Sequence, residues 1–435
     1  MSHSSTVAIV GVLFASILAG ASNASVRGSA SEPTVETVYS FTGNNGTSDG
    51  NAPFAPLLHD GRGEFYGTTG YGGGSANCAG GCGTVFKVNA DGTETVLHSF
   101  TGGSDGARPN AGLLEGRNGY LYGTTEYGGG GAGCQSETFV QNIQYTGCGT
   151  VFSISPTGEL KIIYAFTGVD ADGWNLLGGV VEDESGNLFG ATTNGGSDDA
   201  GTIFEISPDG TERVLYSFSG GADGSQPYAG VTIGTDGDLY GSTNSGGESG
   251  LGTLFKIAPD GTEVVLHSFG GGPVDGAYPG FGLLRGRDGN FYGSSAFGGA
   301  LGYGCLFKIT PTGELSILYS FTTGVQGTAG PNGPLVENAK GDIYGTTEYG
   351  GSAGYGSVFE LSRNNKFTTL ASLPGYPAGV GNPTAGVVLG KDGKLYGTSS
   401  LGGSYDGGTV FTVRMGKKRK SRAFLGLHFI LLPGD

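Results

Sequence analysis

Apolar residues in this chain fall in short β-rich runs that return in a fixed order. From Ala229 to Phe269 the runs AGVTIG, DLYGST, GTLFKI and TEVVLHSF follow one another, separated by Asp236-Gly237, a glycine-rich loop and Asp260-Gly261. Runs of this kind predict strands, and Asp-Gly or Asn-Gly between them predicts two-residue hairpins, because such turns need positive φ. The same joints recur at Asp60-Gly61, Asn118-Gly119, Asp288-Gly289 and Asp392-Gly393 between the first two strands, and at Asp91-Gly92 and Asp209-Gly210 between the last two.

The period is set by a Tyr-Gly-Thr-Thr tetrad and its variants, whose glycine stands at 67, 123, 190, 241, 293, 345 and 397; the last four spacings are 51 or 52 residues. Four short antiparallel strands repeated seven times predict an all-β, seven-bladed β-propeller. Neither face of a unit alternates cleanly with polar residues (Val85-Phe86, Leu113-Leu114), as expected for sheets packed between two neighbours. Gly112, Gly230 and Gly282 fall on the first strand, nearest the axis, where seven strands crowd together. The seventh unit ends at GTVFTV, Gly408–Val413, without a fourth strand, and the missing type appears upstream as ETVYSF, Glu36–Phe41. The N-terminal strand is therefore expected to complete the last blade and close the ring. The predicted organisation is an export signal over 1–24, a linker over 25–35, the propeller over 36–413 and a disordered tail over 414–435.

The unit LYGTT-x-YGG…GTVFKI-x-PDGTE-x-VLHSF resembles the GloVer tandem repeat of exported bacterial proteins, from Glu36 to Val413. The resemblance implies an exported repeat protein and carries no activity, so it transfers no catalytic residue. It also implies a C-terminal surface anchor. Here the basic run Lys417–Arg422 precedes an apolar stretch, Ala423–Leu432, too short for a membrane helix.

Composition narrows the function classes. Glycine supplies 92 of 435 residues without a collagen period, and the apolar and aromatic content (37% and 11%) is too high for disorder. A formal charge of −16 argues against nucleic acid as a partner. The segment Val7–Gly20 is apolar and too short to span a bilayer, and Ser22-Asn23-Ala24 offers a cleavage site. The reading is a secreted or cell-surface protein, monomeric, with no transmembrane helix in the mature chain.

Residues present in every unit are scaffold, so function is sought in the departures from the repeat. Between the tetrad glycine and the glycine opening the third strand, units three to seven span 11 residues, unit one spans 16 and unit two spans 26. Both extensions carry cysteine pairs, Cys78/Cys82 and Cys134/Cys148, expected as local disulfides in an exported protein, with cross-pairing of the two loops left open. Cys305 is expected to be a free buried thiol. The second extension, Gln135–Tyr145, is polar and aromatic; Gln135, Phe139 and Tyr145, with Arg108 and the lone tryptophan Trp174 in the next opening loop, form the candidate recognition set.

The loop opening each unit carries Asp-Gly in five of seven cases: Asp49, Asp105, Asp172, Asp223 and Asp275. Either these carboxylates ring the channel mouth and bind a hard cation such as Ca²⁺, or each caps its own turn. No other cofactor is expected. His98 and His267 occupy a fourth-strand position that is tyrosine in other units (Tyr164, Tyr216, Tyr319), and His59 lies on the opposite face, so no histidine is placed as a base. The preferred reading is a non-enzymatic binder of an extracellular glycan or protein through the long-loop face of blades one to three. The alternatives are a carboxylate- or metal-dependent lyase, lactonase or glycosidase using Asp105, Asp172, Asp198 or Asp199, and a structural envelope protein.

Overall fold

The computed structural model describes residues 34–43, 49–78, 80–131, 134–138, 143–169, 172–322, 328–375 and 379–415. The predicted export signal, nearly all of the linker, and the tail beyond Met415 lie outside the described residues, as does Phe139. Among those described, every regular element is a β-strand. Seven antiparallel sheets of four strands form a seven-bladed propeller, with an added strand, Thr328–Pro331, on the sixth blade. The second blade carries a separate hairpin in its long loop, Gln135–Thr138 paired with Ile143–Thr146.

Ring closure follows the sequence expectation. Val35–Ser40 pairs antiparallel with Thr409–Val413, Val35 opposite Val413 and Ser40 opposite Thr409. The seventh blade thus runs N-terminal strand, third, second, first. The innermost strands are shorter than the sequence predicts: AGVTIG contributes only Thr232–Ile233 to pairing. Its leading part is committed to the axis. A Cβ on Gly230 would stand 2.3 Å from the carbonyl oxygen of Gly179 in the preceding blade, so backbone packs directly on backbone there.

The tetrad glycine has an equally specific reason. A Cβ on Gly67 would lie 2.5 Å from Cζ of Phe86, whose ring covers that glycine from the neighbouring strand, and Gly190 and Phe204 repeat the arrangement at the same distance. These third-strand phenylalanines are fully buried. Each of six meets a phenylalanine from the preceding blade, five of them edge-on, as Phe41 meets Phe86 at 5.0 Å and Phe218 meets Phe255 at 5.1 Å between centroids. Such pairs contribute about 0.5–1.5 kcal/mol beyond their buried area. At the remaining junction Leu373 takes the donor position before Phe411.

A second contact ties all seven junctions. Ala52, Arg108, Asn175, Gln226, Tyr278 and Asn382 hold positive φ between 50° and 68°, and Gly330 holds 62°. These residues occupy one equivalent site, and six of the seven precede a proline. Each sends its backbone N–H to the carbonyl just before the third strand of the preceding blade: to Gly407, Cys82, Cys148, Ala200, Leu251, Tyr355 and Tyr303, at 2.8 to 3.4 Å. The left-handed backbone turns the N–H outward across the junction, and the following proline packs on the neighbour's glycine, Pro109 on Gly83 and Pro53 on Gly408.

Removing Val35–Ser40 bares the paired edge of Thr409–Val413. The truncated chain is expected to unfold at lower temperature and to self-associate. A monomer of unchanged Tm by calorimetry and light scattering would contradict closure as a stability element.

Candidate functional site

The opening loops and the loops between second and third strands share one face, where the axial cavity opens. That cavity, about 350 Å³, is lined by every blade, from Phe54 and Pro56 in the first to Thr384 and Ala385 in the seventh. Among the described residues four buried side-chain oxygens of the opening and neighbouring loops lack a hydrogen-bond partner, Asn110 Oδ1, Asn175 Oδ1, Thr193 Oγ1 and Thr384 Oγ1; Asn110 and Thr384 line the axial cavity.

Both long loops are closed by local disulfides, Cys78–Cys82 and Cys134–Cys148, as expected, and Cys305 is a buried free thiol. Cys305 stands where other blades carry threonine or serine and meets Ser295 Oγ at 3.1 Å; burial pushes its pKa up to about 11. The disulfides sit low, against Gly102 and Gly168 of the following opening loops, where any Cβ would collide with sulfur.

The described members of the predicted recognition set differ in what holds them. Arg108 is a wedge: its guanidinium lies 5.1 Å from the Tyr71 ring centre and 5.8 Å from that of Tyr127, with Nε 3.5 Å from Glu126 Oε2. Glu126, only 6% exposed, also accepts a bond from Asn110 Nδ2 at 2.6 Å. Burial raises the Glu126 pKa, with the Arg108 charge opposing. Trp174 is half-buried against the core beneath blades two and three, and its Nε1–H donates to Asp199 Oδ1 at 3.1 Å. Gln135 and Tyr145 lie on the added hairpin, Gln135 opposite Thr146 and Tyr145 opposite Ser136.

The aspartates of the opening loops do not gather into one ligand set. Asp49 is bound by Tyr39 and Thr42, Asp105 by His98 and Thr101, Asp172 by Thr167, Asp223 by Tyr216 and Ser219, and Asp275 by His267 and the Gly270 N–H. Each carboxylate is used within its own loop and by the blade before it. Among the described residues no three His, Cys, Asp or Glu side chains are grouped as metal ligands.

Sequence reasoning concentrated on blades one to three and missed an open surface on blades five to seven. Phe297, Tyr349 and Leu401 occupy equivalent positions after the second strand and are 58%, 52% and 48% exposed. Leu301, Tyr303, Tyr355 and Tyr405, in the loops beside them, are also exposed. In blades one and two the equivalents are less open, Tyr71 being half-buried and Tyr127 only 5% exposed. Loop length hides this arc, because blades five to seven have the standard length. The available signal was the change from Asn194 and Ser245 to aromatic or apolar residues at one position.

The profile of the Gloeobacter/Verrucomicrobia repeat matches residues 130–337 and 265–426, well over half of the chain. The chain belongs to the Gloeobacter/Verrucomicrobia repeat family. No curated protein matches it. Among solved structures, one described as the extracellular domain of a hybrid two component system from B. thetaiotaomicron is similar, with 13% identity, TM-score 0.52, and coverage of 89% of this chain and 43% of that one. A second such domain from the same organism has 12% identity and TM-score 0.49 over 87% and 41%. A polysaccharide lyase described as an ulvan lyase has 9% identity and TM-score 0.48 over 85% and 94%. The chain spans about two-fifths of the length of those extracellular domains. At these identities the likeness shows the propeller fold alone.

This Gloeobacter/Verrucomicrobia repeat protein sorts its charges. Among the described residues Arg108 is the only lysine or arginine on the long-loop face; the others lie at hairpin turns and strand ends toward the opposite face. Three blade junctions hold a tyrosine–aspartate–glutamate stack: Tyr39–Asp49 with Glu94, Tyr164–Asp172 with Glu212, and Tyr216–Asp223 with Glu263. One oxygen of each glutamate is buried without a hydrogen bond. Burial, then the nearby aspartate, pushes the pKa of Glu94, Glu212 and Glu263 up to about 7. Burial opposes ionisation of Asp105 and Asp223 too, but bonds from His98 and Thr101, and from Ser219 and Tyr216, outweigh it and hold both below the usual value.

The sign of the pH dependence follows. Between the ordinary glutamate value of 4.5 and about 7 the folded chain keeps protons that the unfolded chain releases, so stability falls as pH rises through that window. The lowered aspartates act oppositely, their contribution being lost as pH falls below the ordinary 3.8. Tm is expected to be higher at pH 5 than at pH 8, with the difference reduced in a Glu94→Gln, Glu212→Gln, Glu263→Gln variant. A Tm that rises from pH 5 to pH 8 in the native chain would refute the assignment.

Proposed function

We propose that this protein is an exported, non-enzymatic binding module that holds an extracellular saccharide on its long-loop face. The observation that carries the reading is the arc of exposed aromatic and apolar side chains on blades five to seven, Phe297, Tyr349 and Leu401 with Tyr303, Tyr355 and Tyr405. Flat rings that keep one face open in water have few uses within a monomer, and a contiguous exposed patch of this kind marks an interaction surface. Sugar rings present C–H faces for such stacking and hydroxyls at their edges. Asn110 and Thr384, which line the axial cavity, add polar groups beside that surface.

Two further features support the reading. Disulfides persist in oxidising compartments, and two close loops on this face. The histidines of the face, His98 and His267, are each engaged by an aspartate, Asp105 and Asp275, which leaves the imidazoles structural work at their junctions.

The test is a glycan array probed with the native chain, a Tyr349→Ala, Tyr405→Ala variant and a deletion of residues 135–145. The native chain is expected to select one glycan class, with about tenfold weaker binding in the double variant. The deletion shows whether the second blade contributes to the same surface. Time-dependent cleavage of a bound glycan, abolished by Asp105→Asn, would replace the binder with an enzyme.

A further inference from the structure

Blades three to seven share one loop length before the third strand, and one residue of that loop is left-handed in all five. Glycine fills the position in blades four, five and six, as Gly250, Gly302 and Gly354, with φ of 73°, 82° and 83°. Blades three and seven place an aspartate there, Asp199 at 54° and Asp406 at 57°. An L-residue pays a conformational cost in this region that glycine avoids, so the carboxylate must return something.

In blade three the return is visible. Asp199 Oδ1 accepts the Gly195 N–H at 2.8 Å and the indole Nε1–H of Trp174 at 3.1 Å. Blade seven repeats only the first contact, with the Gly402 N–H bonded to Asp406 Oδ1 at 2.9 Å. The second is missing for a definite reason. Trp174 pairs with Asn194, and its register equivalent, paired with Leu401, is Gly381, which has no side chain to offer. A hollow of about 180 Å³ stands there, lined by Tyr355, Gly381, Asn382, Leu401, Gly402 and Asp406. Tyr355 and Leu401 are 38% and 48% exposed. Blade three therefore shows what such a place accepts: a flat ring carrying an N–H directed at the carboxylate.

We propose that the hollow between blades six and seven is a subsite for one unit of an amino sugar. The inference rests on the saccharide reading and narrows it. The nitrogen on the sugar ring donates its hydrogen to Asp406, as the indole does to Asp199. The pyranose face lies against Tyr355 and Leu401, and the Asn382 amide meets a ring hydroxyl. Charge agrees with the assignment. With Arg108 set between Glu126 and two tyrosines as the face's only described lysine or arginine, a ligand bearing N–H or ammonium groups is favoured and a uronate or sulfated chain is repelled.

Three pentasaccharides of one linkage isolate the nitrogen: β-1,4-linked glucosamine, N-acetylglucosamine and glucose. Calorimetric titration is expected to show at least one nitrogen-bearing pentamer binding about tenfold more tightly than the glucose pentamer, the difference a charge-assisted hydrogen bond makes. Asp406→Gly installs the residue of blades four to six and is expected to fold normally and erase the preference. Gly381→Trp, whose Cβ would stand 3.3 Å from the Gly375 Cα, places an indole where blade three has one and is expected to occlude the subsite with some loss of Tm. Equal binding of all three pentamers, or a preference that survives Asp406→Gly, overturns the inference and leaves the saccharide reading standing. Failure of every glycan on the array, with a tryptophan-bearing peptide bound at the hollow instead, overturns both.

Discussion

One backbone hydrogen bond, repeated at every junction, sets the geometry on which the rest of the molecule depends. A left-handed residue after each opening loop sends its N–H into the blade before it, and the chain then turns inward to the axis. Six of these residues are not glycine, and most stand before proline, a context that itself restricts the backbone. The strain is local and the return is collective: each bond fixes the offset of one sheet against the next, and seven equal offsets make a ring that closes. The phenylalanine edges and prolines fill the wedge that this offset leaves.

The same device explains why the functional face is built of side chains rather than loops of special shape. Position 52 and its equivalents are fixed by their backbone, so their side chains are free to differ: alanine, arginine, asparagine, glutamine and tyrosine all occur. Arg108 uses that freedom to roof over two tyrosines. Elsewhere the equivalent residues leave neighbouring rings uncovered. A rigid, nearly symmetric platform thus carries an asymmetric surface, closed on the side of the disulfide loops and open on the far side.

The fold was legible because every rule that specifies it is written seven times. Asp-Gly turns, the tetrad glycine and the unmatched strand at each end pointed to one topology. The surface was not, and Tyr127 and Tyr349 show why. Both lie in the octapeptide YGTTEYGG, yet one is 5% exposed and the other 52%. One difference between them is a residue from another position, Arg108 against Gly330, which periodicity does not encode. The lone tryptophan, Trp174, donates its indole N–H to Asp199 within its own blade, a contact that composition alone does not announce. The aspartates of the opening loops are conspicuous in the sequence, but the hydrogen bonds each makes within its own loop are legible only from side-chain geometry.

Closure by the N-terminal strand also orders the life of the chain. Val35–Ser40 leaves the ribosome before any blade exists, and its partner, Thr409–Val413, arrives last. Until then the segment has no mate, and six blades must stack in sequence while both rims of the arc stay unsealed. The final pairing joins the first and last strands of the propeller, so the ring cannot be finished blade by blade as it is made. Its assembly is a clasp rather than a zipper, fastened only when the last strand of the ring has arrived.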